Sequence, residues 1–366
     1  MAMYKIAMAN FTTSNTTAPK ACHAWIKDEL AGVNVTLDLL NEQLVRRNYG
    51  GIAILVCFSV FGLLGNVHVL YIYSRQYKKS NYRIFVLFLA ILDVINCTIV
   101  APLVIVYLFF PLTFPSDAFC KVFRTILYFV SISSTLSLVA IAIDRFRKIC
   151  HPFRDQFGTG QVKLLCVGSL VVGALLTWPA PILWGLSTVQ SGIPGVTGQR
   201  CFTSDNFKNY KINFQGLYNA TLILFYFIVS GTLVVIYIHI GRNIRINNKF
   251  RDTQRRNTLK SEEEVAKAAG NSARKSTITL CAVTITYVLS ALPHHLLATL
   301  IFLVPNFDCN LSLLGSQLYY TFIWSYFVNS VVNPLIYGIR DRKFRFAVKR
   351  IYRRFGSETE TLSTSG

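Results

Sequence analysis

Charge is scarce in this chain, and acid is scarcer than base. Of 366 residues only 15% are Asp, Glu, Lys or Arg, against about 25% in a soluble domain. Seventeen carboxylates stand against 37 basic residues, a net charge of +20, while 52% of residues are hydrophobic and 13% aromatic. Other absences exclude activities. HExxH and GxSxG do not occur, so the chain is not expected to be an enzyme. No internal repeat is visible, and Asp93 is the only carboxylate deep in an apolar run, which argues against a transporter or channel. No cysteine follows Phe344, which excludes palmitoylation there.

The hydrophobic residues come in seven runs, at 52–73, 84–110, 122–142, 164–186, 217–240, 278–304 and 311–339. A helix needs about 20 apolar residues to cross a bilayer, and each run suffices. Twenty-seven of the 37 basic residues fall in alternate connections and the tail. They are sorted by topology and do not form one face, so nucleic acid is not the expected partner. The positive-inside rule puts the N-terminus outside and the C-terminus in the cytoplasm, which requires an odd number of spans. The fold class expected is therefore an all-α membrane protein, a seven-transmembrane helix bundle at the plasma membrane. A glycosylated extracellular N-terminus covers 1–48, the bundle 49–340, and an amphipathic helix and tail 341–366.

The segment placed outside carries three glycosylation sequons, at Asn10, Asn15 and Asn34. Lys5 and the lack of a long apolar core in the first ten residues predict no cleaved signal peptide. Four cysteines fall outside: Cys22, Cys120, Cys201 and Cys309. They allow three connectivities. Cys120 heads the third run and Cys201 lies in the long connection 187–213, so these two are expected to pair, leaving Cys22 for Cys309. Two free thiols are the alternative to that second bridge.

Motifs recur in order along the runs. Gly65-Asn66-Val67 lies in the first, Leu89-Ala90-Ile91-Leu92-Asp93 in the second, and Asp144-Arg145-Phe146 closes the third, with Pro152 beyond it. Tyr237 lies in the fifth run, and Asn333-Pro334-Leu335-Ile336-Tyr337 with Phe344 ends the seventh. In this order the chain resembles the rhodopsin-like (class A) G-protein-coupled receptors over roughly residues 50–355, and more narrowly their peptide receptors. The resemblance implies a receptor that binds an extracellular ligand and activates heterotrimeric G proteins by population shift, with no bond chemistry. It also implies an activation switch of Asp144, Arg145, Tyr237, Asn333, Pro334 and Tyr337. Asp144 would hold Arg145 at rest, and Pro334 would let the last span bend. Arg145, Pro152 and Phe153 would meet the G protein.

Asp93 cannot be buried ionised and alone. Asn66, Ser134, Asn329, Ser330 and Asn333 lie at comparable depth, and the resemblance implies that such residues surround a sodium ion. A hard cation on oxygen ligands would compensate Asp93, the one metal-binding residue expected. A hydrogen-bonded cluster without a cation is the alternative. No cofactor is expected beyond that allosteric ion. His68 and His239 read as polar groups of the bundle interior. The bases between 342 and 355 alternate with Phe344, Phe346, Val348, Ile351 and Tyr352, as in an amphipathic helix for anionic membrane lipids. The Ser/Thr-rich tail offers phosphorylation sites for arrestin.

The chain departs from the family pattern. Ala291 stands where the sixth span usually has Trp, Tyr287 where Phe is usual, and Val229 where the fifth has Pro. No acid near Ala273 is placed to lock Arg145, which leaves two alternatives: high basal activity, or a relay through Tyr287 and Thr135. A decoy receptor of the same fold is the alternative function. Placed by the resemblance, the ligand pocket is Tyr107, Arg124, Leu127, Tyr128, Ser131, Tyr218, Thr221, His294, His295, Tyr319, Ile323 and Phe327. Leu127 takes the place of the Asp that pairs amines, which disfavours an amine. The seventh run has no Lys for a retinal Schiff base. Arg124 could take a carboxylate. His294 and His295, about 100° apart on a helix, should not both face the pocket centre. The tyrosines and the long outer connection favour a neuropeptide; a small non-amine ligand such as a lipid stays open.

Overall fold

The computed structural model describes residues 34–191, 193, 195–208, 210–254, 263–304, 307 and 311–363. Asn10, Asn15, Cys22 and Cys309 lie outside the described residues. Asn34 is exposed, just ahead of the first helix.

Seven helical spans form one bundle. They are α1 (Leu37–Gln76), α2 (Asn81–Phe109), α3 (Asp117–Cys150), α4 (Thr159–Leu183), α5 (Phe214–Gln254), α6 (Glu263–Leu303) and α7, which runs in two pieces, Leu313–Phe322 and Val328–Arg340. The last helix, α8 (Arg342–Ser363), turns its Phe344 and Ala347 into the bundle. The first six spans are long and apolar enough to cross a membrane unbroken. An all-α fold was expected, yet the fourth span ends at Leu183 and the long connection folds into an antiparallel hairpin, β1 (Trp184–Gln190) with β2 (Thr197–Thr203). Every peptide N–H and C=O there needs a partner, and the two edges supply each other. The hairpin lies at one end of the bundle and Arg145 at the other.

Polar side chains set several boundaries. Thr36, Ser80 and Ser312 cap α1, α2 and α7 by accepting from Leu39, Arg83 and Gly315 N–H at 3.3, 3.3 and 3.1 Å. α1 begins well before its apolar run. Its added turns close the end of α2: Asn48 Nδ2 donates to Leu108 O at 2.7 Å and Asn41 Nδ2 to Phe109 O at 3.2 Å. Those carbonyls have no partner within their own helix.

Proline interrupts α2 and α6. Pro102 has no N–H, and α2 widens into a π turn at Asn96–Val100 just before it. Pro293 leaves α6 carbonyls open, and neighbouring helices fill nearby ones. Tyr226 OH donates to Val288 O at 2.8 Å and Ser325 Oγ to Ser290 O at 2.6 Å. α7 breaks at Ser325–Phe327 into a 3₁₀ turn, and the His294 ring bonds Ile323 O at 2.5 Å. Small residues let α1 and α7 touch: a Cβ at Gly65 would sit 2.8 Å from Pro334 Cβ and Cγ.

The core is split. One cluster, with Leu89, Leu138, Ile141, Val283 and Ile336, fills the Arg145 half; another, with Phe123, Leu127, Trp184 and Phe327, fills the hairpin half.

Candidate functional site

Between the hairpin-end halves of the helices lies a cavity of about 230 Å³. Its wall includes Tyr107 from α2; Arg124, Leu127, Tyr128 and Ser131 from α3; His294 and His295 from α6; and Tyr319 and Ile323 from α7. Three residues placed in the pocket by sequence lie off this wall. Tyr218 is turned toward α4 and donates to Leu176 O at 3.1 Å. Thr221 is exposed on the outside of α5 and bonds its own helix at Leu217 O. Phe327 is buried against Trp324 and Tyr326. The face that α5 presents is instead Asn219, Leu222, Ile223 and Tyr226. Their spacing is the helical one that marks a single face, a signal the sequence reading passed over. His294 and His295 both line the cavity. The cavity is wide enough for adjacent positions to share it, His295 stacking on Tyr226 at 3.9 Å and His294 meeting Tyr326 edge-on at 4.8 Å.

The hairpin lies over this cavity, tied to α3 by the Cys120–Cys201 disulfide, Cα–Cα 5.4 Å. Trp184 and Phe202 from its strands join the wall. Beneath them Arg124 is buried, 7% exposed, with its guanidinium carbon 4.1 Å from the Trp184 ring centre, 4.6 Å from Tyr107 and 5.1 Å from Phe123. It donates to Cys201 O at 3.3 Å. No carboxylate among the described residues lies within ion-pair distance of it.

The cavity runs deep. Ala291, Tyr287 and Thr135 form part of its floor, and Asn96, Ser134, Asn329 and Ser330 line its lower end. Below that lies Asp93, 2% exposed, its Oδ2 accepting from Asn333 Nδ2 at 2.8 Å. Asn66 Nδ2 donates to Ser330 O at 2.7 Å and Asn96 Nδ2 to Ser330 Oγ at 3.0 Å. Four buried amide oxygens in this layer, on Asn66, Asn96, Asn329 and Asn333, accept nothing. With the Asp93 carboxylate they are the donor set a small hard cation prefers. Asn96 was not anticipated; the π turn before Pro102 brings it into the layer.

At the other end Asp144 and Arg145, 3% and 1% exposed, form a buried ion pair. Asp144 Oδ1 accepts from Asn81 Nδ2 at 2.9 Å, and Arg145 Nη1 donates to Ser276 Oγ of α6 at 3.2 Å. Ser276 thus links Arg145 to α6 where no acid is available. Tyr237 bonds α6, accepting from Thr284 Oγ1 at 3.1 Å, and Tyr337 OH is buried without a partner. Neither tyrosine hydroxyl is bonded to Arg145. This is the arrangement of a closed end.

A family model described as 7 transmembrane receptor (rhodopsin family) matches residues 65–337. The chain belongs to this family. It is therefore a multi-pass membrane protein and a class A receptor. Trace amine-associated receptor 4 of Rattus norvegicus is 27% identical over 302 residues, 80% of this chain and 82% of its own length. Neuromedin-U receptor 2 of Mus musculus is 23% identical over 300 residues, 80% and 72%. Neuropeptide FF receptor 1 of Rattus norvegicus is 25% identical over 310 residues, 82% and 70%.

The receptor's departures from the family pattern now have a place. Thr135 Oγ1 donates to Tyr287 OH at 3.0 Å, joining α3 to α6 one turn from Ala291. Phe153 is fully exposed at the Arg145 end, on the turn between α3 and α4. His68 and His239 do not face the interior as expected. His68 stacks on Tyr352 of α8 at 5.7 Å, and His239 is exposed beside Phe146. Among the described residues no group of His, Cys, Asp and Glu is disposed to hold a transition metal.

Proposed function

We propose that this receptor sits in the plasma membrane with its hairpin end outside, binds an extracellular peptide, and promotes nucleotide exchange on heterotrimeric G proteins. Residues 1–48 then form a glycosylated extracellular segment, and 341–366 the cytoplasmic helix and tail. The observation that carries the signalling role is the buried Asp144–Arg145 pair, linked to α6 through Ser276. A charge pair at the rim of a membrane span is expensive and calls for a function, and here it ties together two helices that must part to admit a partner. In the active state Arg145 turns toward Tyr237 and Tyr337, and the space it leaves, with Pro152 and the exposed ring of Phe153, receives the G protein. Pro334 and the Asn333–Asp93 bond lie on the α7 segment that bends. A sodium ion on Asp93 and the amide oxygens would favour the closed state by binding it better. α8 lies on the membrane lipids, and the tail beyond it recruits arrestin once phosphorylated.

A peptide is favoured by the relative named for neuropeptide FF and by a cavity with a hairpin at its mouth. The test is nucleotide exchange in membranes at equal surface expression, for the receptor and Arg145→Ala, first without ligand and then with a peptide library. Exchange that Arg145→Ala abolishes is expected. A peptide that binds and is internalised while no G-protein subtype responds would make this a decoy receptor instead.

A further inference from the structure

The hairpin end is short of negative charge. Among the described residues the cavities there are lined by Arg47, Arg124, Arg200 and Lys208 and by no Asp or Glu. Of the described acids at this end, Asp117 holds Lys121 at 2.6 Å and Leu186 N–H at 2.8 Å, Asp205 holds Lys208 at 2.6 Å and Thr188, Glu42 holds Arg46 at 3.0 Å, and Asp38 is exposed away from the main cavity wall. In the main cavity Arg124 is the one guanidinium or ammonium group. Its Nε–H is buried with no partner. An arginine cannot escape this by losing its proton. A desolvated cation with unmade hydrogen bonds is costly, and the aromatic faces of Trp184, Tyr107 and Phe123 offset only part of that cost.

We infer that the counter-ion comes with the ligand: the receptor recognises a carboxylate, seated on Arg124, at the head of a largely apolar molecule. This rests on the proposed receptor function and specifies its ligand. One guanidinium balances one negative charge, which favours a carboxylate over a phosphate dianion. Its planar edge suits two parallel N–H···O bonds. The walls below are apolar and aromatic, with Leu127, Leu222, Ile223 and Ala298, and Ala291 leaves them open down to the amide layer. The C-terminal carboxylate of a peptide and a free amphipathic acid share this chemistry. A cationic amine meets a like charge at the same place.

The experiment has two arms on the wild-type receptor. Peptides with a free C-terminal carboxylate are compared with the same peptides amidated, and alkyl and aryl carboxylic acids with their methyl esters. Nucleotide exchange and the thermal unfolding midpoint of the purified receptor are both read. Acids should activate and stabilise while their amides or esters do not, and the arm that responds names the source. On Arg124→Met the best acid should lose about thirtyfold or more in potency. The ligand-free unfolding midpoint of that variant should hold or rise, because an uncompensated buried charge has been removed. A fall in that midpoint would assign Arg124 to holding the hairpin and overturn the inference. So would an activator equally potent as its amide or ester, or no acid that shifts the wild-type midpoint. A neutral activator sinks the carboxylate while keeping the receptor; an acid that stabilises without exchange sinks the signalling and keeps the carboxylate.

Discussion

The two halves of the bundle treat a buried arginine differently. At the Arg145 end the charges are matched within the chain: Asp144 with Arg145 and Asn81, and Asp341 with Tyr73 and Tyr77 at 3.1 and 2.6 Å. At the hairpin end the buried Arg124 has no such partner, and around the cavity Trp184 Nε1, Trp324 Nε1, Tyr326 OH and Ser131 Oγ are open as well, while at the Arg145 end Arg145 Nε and Tyr337 OH are the comparable open groups. Buried donors are normally satisfied, so a concentration of open ones around a cavity marks where something is to be received. One half holds a conformation and the other awaits a ligand. Both stand on the same helices, so a change in one can reach the other along them.

The largest way to break this contrast is to open the closed half. Arg145→Ala leaves the Asp144 carboxylate buried without its cation, and should cost about 3–5 kcal/mol, read as a lower thermal unfolding midpoint of the purified receptor. Opening the other half comes next. Cys201→Ser frees the hairpin from α3 and should cost about 2–5 kcal/mol, with surface expression falling in step. Ala291→Trp should cost about 1–3 kcal/mol by overpacking the cavity floor; an unchanged midpoint would show instead that the slot is slack. Smallest is Ser325→Ala, which removes one α6–α7 hydrogen bond worth about 0.6 kcal/mol in a membrane. A rise in ligand-free exchange without loss of surface expression would show that the bond matters to the switch more than to stability.

The spans were legible because bilayer thickness writes itself into hydropathy, and all seven helices cover the runs. The breaks were not. Hydropathy is blind to the hydrogen bonds that decide whether a helix continues, so the 3₁₀ turn in α7 and the π turn before Pro102 left no mark in an apolar run. The hairpin was hidden because its strands pair with each other and their residues do not alternate cleanly. On the cavity wall, the α3 positions implied by the resemblance, Arg124, Leu127, Tyr128 and Ser131, do line the cavity, and the Cys120 disulfide pins that helix to the hairpin. α5 has no such pin, its proline place holding Val229, and there Tyr218 and Thr221 were placed on the wrong side of Asn219 and Tyr226. Thr135 and Tyr287, one of the two alternatives for the relay, are hydrogen-bonded to each other across α3 and α6.

The carbonyl bonds beside Pro293 set how α6 would move. Ser325 and His294 lace α6 to the 3₁₀ turn of α7, so the helix has a fulcrum there, fixed to its neighbour just beneath the cavity. A lever pivoted at that height moves least where the ligand sits and most where Ser276 meets Arg145. A small displacement of Ala298 or Ile301, on the cavity wall above that fulcrum, would thus arrive at the far end magnified by the ratio of the two arms.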